Sequence, residues 1–311
     1  MQELCNWYYY KLSILFFAGN DEAGRWDWKI RSLKKNGIKN IWILNENNIH
    51  EFNVEVKPVS AYCSTPPPYD IIGDVHGCLD ELEELFDKLG YEKTDSIYIH
   101  SNGRMPVFIG DISDRGPKSV EAIELMLDMV EMNKAMFLPG NHCYKLARHL
   151  MGKNITMKFG VEVTLDELNS IDNTRREKLE TRFVNLVEES PYYLILDNGN
   201  LVISHAGIKE RMIGREHRKI RDFCFYGATT GKLDERGLPE RIDWAAKYKG
   251  KPLVVYGHTP VGKAEFYNNT INIDQGCVFG GKLTALRYPE METVSVKAKK
   301  SYYCRLRMIK V

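Results

Sequence analysis

The sequence lacks most of the features that would mark a secreted, membrane-bound or nucleic-acid-coating protein. It carries 43 basic and 42 acidic residues, so no global field recruits nucleic acid or anionic membrane. Its seven cysteines are odd in number and show no Cys-x-x-Cys spacing, which argues against a disulfide framework and a structural zinc site. A reducing cytoplasm fits this cysteine usage best.

Long apolar runs, internal repeats and a phosphate-binding P-loop are also missing. The run "LSILFFAG" is too short to span a bilayer and follows an acidic, aromatic leader, so we expect a buried strand or helix and no membrane association. The nearest string to a P-loop, "GNDEAGRW", lacks the lysine and the hydroxyl that hold nucleotide phosphates and magnesium. Kinase activity is therefore not expected.

One clear composition break occurs at "CSTPPPYD", where three consecutive prolines indicate a linker or a rigid turn. Before it, "WDWKIRSLKKNG" predicts a helix, and "IKNIWIL" and "EFNVEV" predict strands. We expect residues 1–65 to form an α/β fragment that is too small and irregular to be a convincing independent domain. Residues 66–298 then form the main domain, and residues 299–311 form a tail.

After the prolines, strands and helices alternate three times. "YDIIGD" precedes the helical pattern "CLDELEELFDKLG", "MPVFIGD" precedes a helix through Val120 and Val130, and "AMFLPG" precedes "CYKLARHLMG". Six later apolar runs have strand length and no long helix between them: "YYLIL", "NLVISHA", "PLVVYGH", "NTINID", "KLTALRY" and "TVSVKA". The layout predicts an α/β fold with βα units first and a mostly β second half.

Polar, metal-competent residues follow strand after strand. The motifs, in chain order, are "GDVHG" (Asp74, His76), "GDISDRG" (Asp111, Asp114, Arg115), "GNH" (Asn141, His142), "SHAG" (His205) and "GHTP" (His258). Because ligand sites in α/β sheets form outside the carboxyl ends of strands, we expect these residues to meet in space. Each motif alone is weak, but five in one order are not.

These residue types suit a pair of divalent ions. Asp74 and His76 are two residues apart and so point to one side of an extended segment, while the two oxygens of Asp111 can bridge two ions. Asn141, His205 and His258 complete a mixed oxygen and nitrogen set that suits manganese, iron or zinc better than calcium. Two such ions would acidify water, position a hydroxide for attack on phosphorus and stabilise the developing charge without a protein nucleophile.

The same motifs resemble the calcineurin-like metallophosphoesterases, in particular their phosphoprotein-phosphatase branch. The longer stretches "YDIIGDVHG", "FYGATTGKLDERGLPERIDWAAKYKGKPLVVYGHTPV" and "NNTINIDQGCVFGGKLTALRYPE" most closely resemble the phosphatase module of bacterial polynucleotide kinase-phosphatases. The resemblance implies a metallophosphoesterase β-sandwich of two mixed sheets flanked by helices. Residues 27–65 resemble the end of the kinase module that precedes it there.

Carried onto this sequence, the resemblance implies two metal sites and a small set of catalytic residues. Asp74, His76 and Asp111 would hold one ion, and Asp111, Asn141, His205 and His258 the other. Asp274 would add a further carboxylate. Arg115 would bind phosphate oxygens, and His142, oriented by Asp114, would protonate the leaving group. The ions would be manganese foremost, with iron, zinc or nickel as alternatives.

Three residues depart from the family pattern. Cys143 follows Asn-His where an acid is usual, Ala228 replaces an acid, and Gln275 stands where the related module has threonine. None is expected to be a direct metal ligand, so we expect activity to survive.

The leading functional hypothesis is hydrolysis of 2′- or 3′-phosphate or 2′,3′-cyclic phosphate ends of nucleic acid. The basic stretch from Lys209 to Arg221 would supply a local rim for such ends, or would simply be a solvated helix or loop. The alternatives are hydrolysis of dinucleoside tetraphosphates or of Ser/Thr phosphoproteins, because one metal core serves all of these reactions. A non-catalytic protein that binds RNA or a partner is a more distant alternative. The oligomeric state stays open.

Overall fold

The computed structural model describes residues 13–17, 27–35, 40–44, 50, 61–63, 65–155, 159–235 and 239–303. The chain divides into two compact units. The first comprises Met1–Val59 and Arg211–Ile220, and the second comprises Ser60–Glu210 and Arg221–Val311.

The first unit contains a small parallel βαβ arrangement. Strand β1 (Ser13–Phe17) pairs in parallel with β2 (Asn40–Leu44), and helix α1 (Asp27–Lys35) lies between them in the sequence. Asp27 in the first turn and Lys34 and Lys35 in the last turn complement the helix dipole. The helix predicted at "WDWKIRSLKKNG" and the strand predicted at "IKNIWIL" are confirmed here, and the run "LSILFFAG", predicted as a strand or a helix, contains strand β1. The strand predicted at "EFNVEV" lies outside the described residues.

The second unit begins with the predicted βα units. They comprise β3 (Tyr69–Ile72), α2 (Leu79–Leu89), β6 (Met105–Phe108), α3 (Ser119–Glu131), β7 (Met136–Phe137) and α4 (Asn141–Leu150). Helix α2 ends where Gly90 adopts a left-handed φ of 88° and donates its N–H to the helix, as the sequence predicts. A hairpin of β4 (Tyr91–Thr94) and β5 (Ile97–His100) intervenes after α2.

Two five-stranded mixed sheets make up the body of this unit. The later strands are β8 (Tyr193–Leu196), β9 (Leu201–Ser204), β12 (Leu253–Tyr256), β13 (Phe266–Tyr267), β14 (Thr270–Asn272), β15 (Lys282–Tyr288) and β16 (Glu292–Lys297). One sheet has the order β16-β15-β3-β6-β7 and the other has the order β13-β14-β12-β9-β8. Strands β3, β6 and β7 are mutually parallel, as are β9, β12 and β14.

The alternation of side chains along the strands produces two cores. Ile71 of β3 and Val107 of β6 pack with Ile203 and Val255 of the other sheet. The neighbouring residues Ile72 and Phe108 point the opposite way, into the core shared with the helices. The predicted α/β sandwich of two mixed sheets flanked by helices is therefore confirmed.

Several elements were not predicted. They are α5 (Val161–Ser170), α6 (Asn173–Glu189), α7 (Arg218–Tyr226), the β4–β5 hairpin and the pair β10 (Thr229–Leu233) with β11 (Pro239–Arg241). Helix α6 buries only three of its 17 residues, Leu179, Phe183 and Val187. Such a sparse apolar stripe gives little periodic pattern in the sequence.

Candidate active site

The predicted site residues lie where the parallel strands of both sheets end. Asp74 and His76 follow β3, Asp111 follows β6, and Asn141 and His142 open α4 after β7. From the second sheet, His205 follows β9, His258 follows β12 and Asp274 follows β14. Each side chain is carried by the loop or by the helix start that directly follows its strand.

The backbone in these loops is unusual. Five predicted site residues that are not glycine have positive φ: His76 (48°), Asp111 (43°), Asp114 (77°), Arg115 (72°) and His258 (72°). Each such conformation costs of the order of 1 to 3 kcal/mol and persists only where the surrounding structure enforces it. Their concentration in one place is typical of a functional site.

One group of donors is formed by His76, Asp111 and His142, whose ligand atoms all lie within 4.8 Å of one another. The Nδ1 of His76 is 2.8 Å from the carbonyl oxygen of Ser113. That carbonyl accepts the Nδ1 proton, so Nε2 of the neutral ring keeps a lone pair that can bind a metal ion. This group contains His142 where the sequence prediction had Asp74.

A second group is formed by Asp111, His205 and His258. His205 Nε2 lies 3.0 Å from Asn141 Oδ1, 3.0 Å from His258 Nδ1 and 3.3 Å from Asp111 Oδ2. The other ring nitrogen of His205 is 3.0 Å from the carbonyl oxygen of Ile109, which fixes the ring. Asp111 belongs to both groups, the position that a bridging carboxylate would need.

Asp74 and Asp274 form the back of the site. The backbone N–H of His258 donates to the Asp74 carboxylate at 3.2 and 3.3 Å, and that of Gly276 donates to Asp274 Oδ1 at 2.8 Å. Burial first, and then the charge of Asp274, raise the pKa of Asp74 well above its usual range. Burial also raises the pKa of Asp274 to about 6. Two buried carboxylates beside each other call for a nearby positive charge.

The histidines show the opposite response to burial. Burial, with the Arg115 charge, lowers the pKa of His76 well below its usual range, and burial together with His205 does the same for His258. Burial alone would also lower the pKa of His205, but the carboxylates of Asp111 and Asp74 raise it to about 9. A raised pKa favours the protonated ring, so His205 is the histidine of the site best suited to balance the charge of the neighbouring carboxylates.

His142 is held by a chain of hydrogen bonds. Its Nδ1 lies 2.6 Å from Asp114 Oδ2, and the Thr164 hydroxyl donates to Asp114 Oδ1 at 2.7 Å. Its backbone N–H donates to Asp111 Oδ1 at 2.9 Å. The sequence prediction missed Thr164 because α5, which carries it, was not predicted and no motif marks it.

Arg115 contacts two members of the first donor group, His76 and His142. Its guanidinium donates to His76 Nε2 at 2.8 Å and to His142 Nε2 at 2.7 Å. Its Nε donates to the carbonyl of Phe159 at 3.0 Å, and its Cζ lies 5.4 Å from the centre of the Phe279 ring. The planar fork is thus held close to the side chains that were predicted to act on phosphate.

The donor set fits divalent metal ions. Bonds of about 2.1 Å to a common ion place neighbouring ligand atoms about 3 Å apart, which matches the spacing around His205 Nε2. His258 Nε2 is buried without a hydrogen-bond partner in the described part of the chain. Nδ1 is the ring nitrogen of His258 that faces the donor group. The set is rich in oxygen and nitrogen and contains no thiolate.

The three departures from the family pattern lie outside both donor groups. Cys143 is fully buried in the core shared with the helices, and Ala228 is also buried. Gln275 accepts from the Thr284 hydroxyl at 2.6 Å and donates to the carbonyl of Gly262 at 3.0 Å. All three positions are structural in the contacts that they make.

A family model for calcineurin-like phosphoesterases matches residues 67–292. The chain therefore belongs to this family and is a metallophosphoesterase, an enzyme class that uses divalent metal ions. Within the part of the chain that the structure describes, no helix has the length and apolar character needed to cross a bilayer.

Several proteins of similar sequence share one name. The chain is 50% identical over 234 residues to the bis(5′-nucleosyl)-tetraphosphatase PrpE [asymmetrical] of Anoxybacillus flavithermus, covering 75% of this chain and 96% of that protein. It is 49% identical over 233 residues to the protein of the same name from Oceanobacillus iheyensis, covering 75% and 93%. A crystal structure of a candidate diadenosine tetraphosphatase aligns with a TM-score of 0.54 at 21% identity, covering 76% of this chain and 98% of that one, which supports the fold alone.

These comparisons correct the finer resemblance. The relatives above are named tetraphosphatases and not polynucleotide kinase-phosphatases, so an activity on nucleic-acid ends is not supported. The alternative prediction, dinucleoside tetraphosphate hydrolysis, agrees better with them. The distant alternative of a non-catalytic protein does not agree with the family assignment.

Proposed function

We propose that this protein is an asymmetrical bis(5′-nucleosyl)-tetraphosphatase that uses two divalent metal ions, with manganese as the first candidate. The observation that carries the proposal is the 50% identity to a PrpE tetraphosphatase across 96% of that protein. The converging donor groups of the site support it, because cleavage of a phosphoanhydride needs charge stabilisation more than it needs a protein nucleophile.

In this proposal, His76, Asp111 and Asp74 hold one ion, and Asp111, Asn141, His205 and His258 hold the other. Asp274 supports Asp74 from behind. When bound, the ions supply a reactive water near neutral pH and stabilise charge on the phosphoryl group that is attacked. The ligand roles rest on the family resemblance, on the shared spacing of the donors and on the ring nitrogens left free by Ser113 and Ile109.

The remaining residues act on the substrate. Arg115 exchanges its contacts with His76 and His142 for phosphate oxygens, which its planar fork matches. Once freed from Arg115, His142 Nε2 can carry a proton and deliver it to the leaving nucleotide oxygen. Asp114 holds the opposite ring nitrogen and stabilises the protonated ring.

Arginines and aromatic rings near the site suit a long polyphosphate bearing bases. Arg221 lies over the ring of Tyr144, with its Cζ 5.1 Å from the ring centre, and Tyr144 is two residues from His142. Arg241 lowers the pKa of His258 by its charge, after burial and His205, so its guanidinium acts on the same site. Four linked phosphates carry more negative charge than the single phosphate of a phosphoprotein. Arg221 and Arg241 would stabilise that additional charge.

The proposal is tested by comparing substrates with the same metal-loaded enzyme. A dinucleoside tetraphosphate, a 3′-phosphorylated oligonucleotide and a phosphopeptide are assayed with Mn²⁺, and the nucleotide products are separated. We expect the tetraphosphate to be the preferred substrate and to yield one nucleoside triphosphate and one monophosphate. Two nucleoside diphosphates would contradict asymmetrical cleavage, and a higher kcat/KM for either other substrate would overturn the proposal.

A further inference from the structure

A second cluster of metal-competent side chains lies apart from the oxygen and nitrogen donors of the candidate active site. It consists of Cys78, Glu81 and Cys277, whose two sulfurs and one carboxylate oxygen all lie within 4.8 Å of one another. All three side chains are buried. Cys78 is the N-cap of α2 and Glu81 lies in its first turn, while Cys277 comes from the loop between β14 and β15.

The carboxylate of Glu81 is only half satisfied. Its Oε1 accepts from the backbone N–H of Lys299 at 2.9 Å and from the Tyr302 hydroxyl at 2.8 Å. Its Oε2 is buried and has no hydrogen-bond partner among the residues that the structure describes. Among the residues that the structure describes, no lysine or arginine forms an ion pair with Glu81. A buried carboxylate oxygen left in this way is costly, so a further group that binds it is expected.

A divalent ion would satisfy all three groups together. Two cysteines and one carboxylate carry up to three negative charges when they act as ligands, and a buried cluster of that charge requires a cation. Thiolate ligands select zinc and similar soft ions over manganese and magnesium. The Cys78 thiol donates to the carbonyl oxygen of His76 at 3.8 Å, a weak hydrogen bond that would be given up when the thiolate binds the ion.

We propose that Cys78, Glu81 and Cys277 form a binding site for one zinc ion, separate from the pair of ions proposed for catalysis. The site extends beyond the proposed function and does not depend on which phosphate ester or anhydride the enzyme cleaves. The sequence has no Cys-x-x-Cys spacing to mark a zinc site, because the ligands here are a Cys-x-x-Glu on one helix turn and a cysteine far along the chain.

The position of the site gives it a role in positioning other residues. Cys78 lies two residues after His76, and Cys277 lies three residues after Asp274. An ion held by both cysteines would join the loop that carries Asp74 and His76 to the loop that carries Asp274. Zinc at this site would therefore stabilise the arrangement of the active-site loops from outside the donor groups.

The first test is a cobalt titration of the reduced, metal-free, full-length protein. Cobalt bound to thiolates produces a sulfur-to-metal charge-transfer absorption in the near ultraviolet, which cobalt bound only to oxygen and nitrogen lacks. We expect this band to reach the intensity of one thiolate-bound cobalt ion per chain in the wild type and in Asp111→Asn, and to be lost in Cys277→Ala. Cys224→Ala, which removes a buried thiol outside the cluster, is the matched control and should keep the band.

The outcomes separate this proposal from the proposed function. Absence of the band in the wild type, or its persistence in Cys277→Ala, would overturn the zinc site whatever the hydrolytic assays show. Failure of tetraphosphate cleavage would leave the cobalt result intact. Because the titration of the wild type needs no variant, the test holds even if a cysteine variant folds poorly.

The second test addresses Glu81 and the oxidation state of the cysteines. Glu81→Gln keeps the shape and the Oε1 contacts but replaces the unpartnered oxygen. Loss of an outer-shell partner costs about 10 to 100-fold in metal affinity, so loss of this direct ligand should lower zinc affinity by at least that much. Circular dichroism checks that the variant is folded. An unchanged affinity would overturn the assignment of Glu81, and an unreduced wild-type protein lighter by two hydrogens, with Cys78 linked to Cys277, would show a disulfide in place of a metal site.

Discussion

At the scale of single residues, the contacts of His142 set the chemistry that it can perform. Its Nδ1 faces Asp114 and its Nε2 faces Arg115, so only Nε2 can exchange a proton with a substrate. The value of such a proton depends on the leaving group. A nucleotide leaving through a phosphate oxygen needs less protonation than a sugar or serine alkoxide, because a phosphate is the weaker base.

His142→Ala should therefore discriminate between substrates. We expect it to lower turnover of an alkyl phosphomonoester by about a hundredfold to ten-thousandfold, the usual range for general acid catalysis, and turnover of a dinucleoside tetraphosphate by clearly less. Steady-state kinetics on both substrates measure the difference, and bound metal should be unchanged. Asp114→Asn should act in the same direction but more mildly.

His149→Ala is the matched control, since His149 lies on the same helix, α4, beyond the donor groups. It should leave both rates near the wild-type values. Equal losses on the two substrates in His142→Ala, or loss of metal, would instead make His142 a phosphate-binding or metal-binding residue.

The buried acids and His205 predict how metal affinity depends on pH. In the metal-free protein, burial raises the pKa of Asp274 to about 6, and Asp111 and Asp74 raise that of His205 to about 9 against the effect of burial. The metal must displace these protons, so the apparent affinity for Mn²⁺ should rise with pH, by about tenfold per pH unit for each proton released. Calorimetric titrations in buffers of different ionisation enthalpy count the protons. Affinity that is flat between about pH 6 and about pH 8 would contradict the ligand assignment.

The metal-free protein should show a related effect on stability. A folded-state pKa for Asp274 of about 6, against an ordinary 3.8, means that the folded state binds more protons than the unfolded state in that interval. This contribution to the unfolding free energy is therefore fully present below pH 3.8 and is lost as the pH rises through about 6.

Cys143 is expected to be a bystander to catalysis. Burial raises the pKa of this thiol well above its usual range, and the charge of Asp111 raises it further. A thiol that stays protonated is a poor nucleophile. Cys143→Ala should leave kcat within about threefold and lower the unfolding free energy by about 1 kcal/mol, the value of a small buried apolar group. Denaturant unfolding and steady-state kinetics test both, and a large fall in kcat at unchanged metal content would refute the bystander role.

At the scale of elements, the loops that follow the parallel strands were the most predictable part of the molecule. Short apolar runs that end in Gly-Asp, Gly-Asn-His or Ser-His indicate both a buried strand and a polar turn, and β3, β6, β9 and β12 lie where those runs predict them. The same local pattern therefore predicted both the strands of the sheets and the position of the site residues. Site residues outside these loops were not predicted. Thr164, for example, donates to Asp114 from helix α5, which carries no recognisable motif.

The close approach between two of these loops can be tested through Gly140. A Cβ at this position would overlap Asp111 Oδ1 and lie 2.8 Å from His205 Cε1. Gly140→Ala should therefore displace Asp111 and weaken metal binding by at least about tenfold, or about 1.4 kcal/mol. Metal titration of the variant measures this.

Gly262→Ala is the control, because a Cβ there meets no atom within 4 Å and the backbone has no positive φ. It should bind metal as the wild type does. Wild-type affinity in Gly140→Ala would show that Asp111 does not need its observed position.

At the scale of the whole molecule, the sequence predicted the fold and the reaction class but not the substrate. The metal motifs belong to a chemistry shared by enzymes that act on proteins, nucleotides and nucleic acids. The stretches that suggested a nucleic-acid phosphatase contain β12, β14 and β15, which build the core as well as the site. Sequence similarity that arises from core packing does not distinguish substrates, so the substrate proposed above rests on the named relatives instead.

The last prediction concerns residues 1–59, the part of the first unit that precedes the family match at residue 67. The rest of that unit, Arg211–Ile220, is kept when residues 1–59 are removed. The described members of both hydrophobic cores follow residue 60. Residues 61–63 belong with the sheets, because the Ile195 N–H donates to the carbonyl of Ala61 at 2.7 Å and the Cys63 N–H donates to the carbonyl of Ile195 at 3.2 Å. Removal of residues 1–59 should therefore leave kcat on the proposed tetraphosphate substrate within about threefold, a change in barrier of well under 1.4 kcal/mol.

A second truncation makes the prediction sharper. Removal of residues 1–65 also deletes the two hydrogen bonds to Ile195, each contributing about 1 kcal/mol, and exposes the edge of β8. It should lower the melting temperature relative to the shorter truncation while the active-site loops stay complete. Thermal unfolding and kinetics of the two proteins side by side decide the matter. Loss of activity in the shorter truncation with folding and metal content intact would show that the first 59 residues contribute to substrate binding.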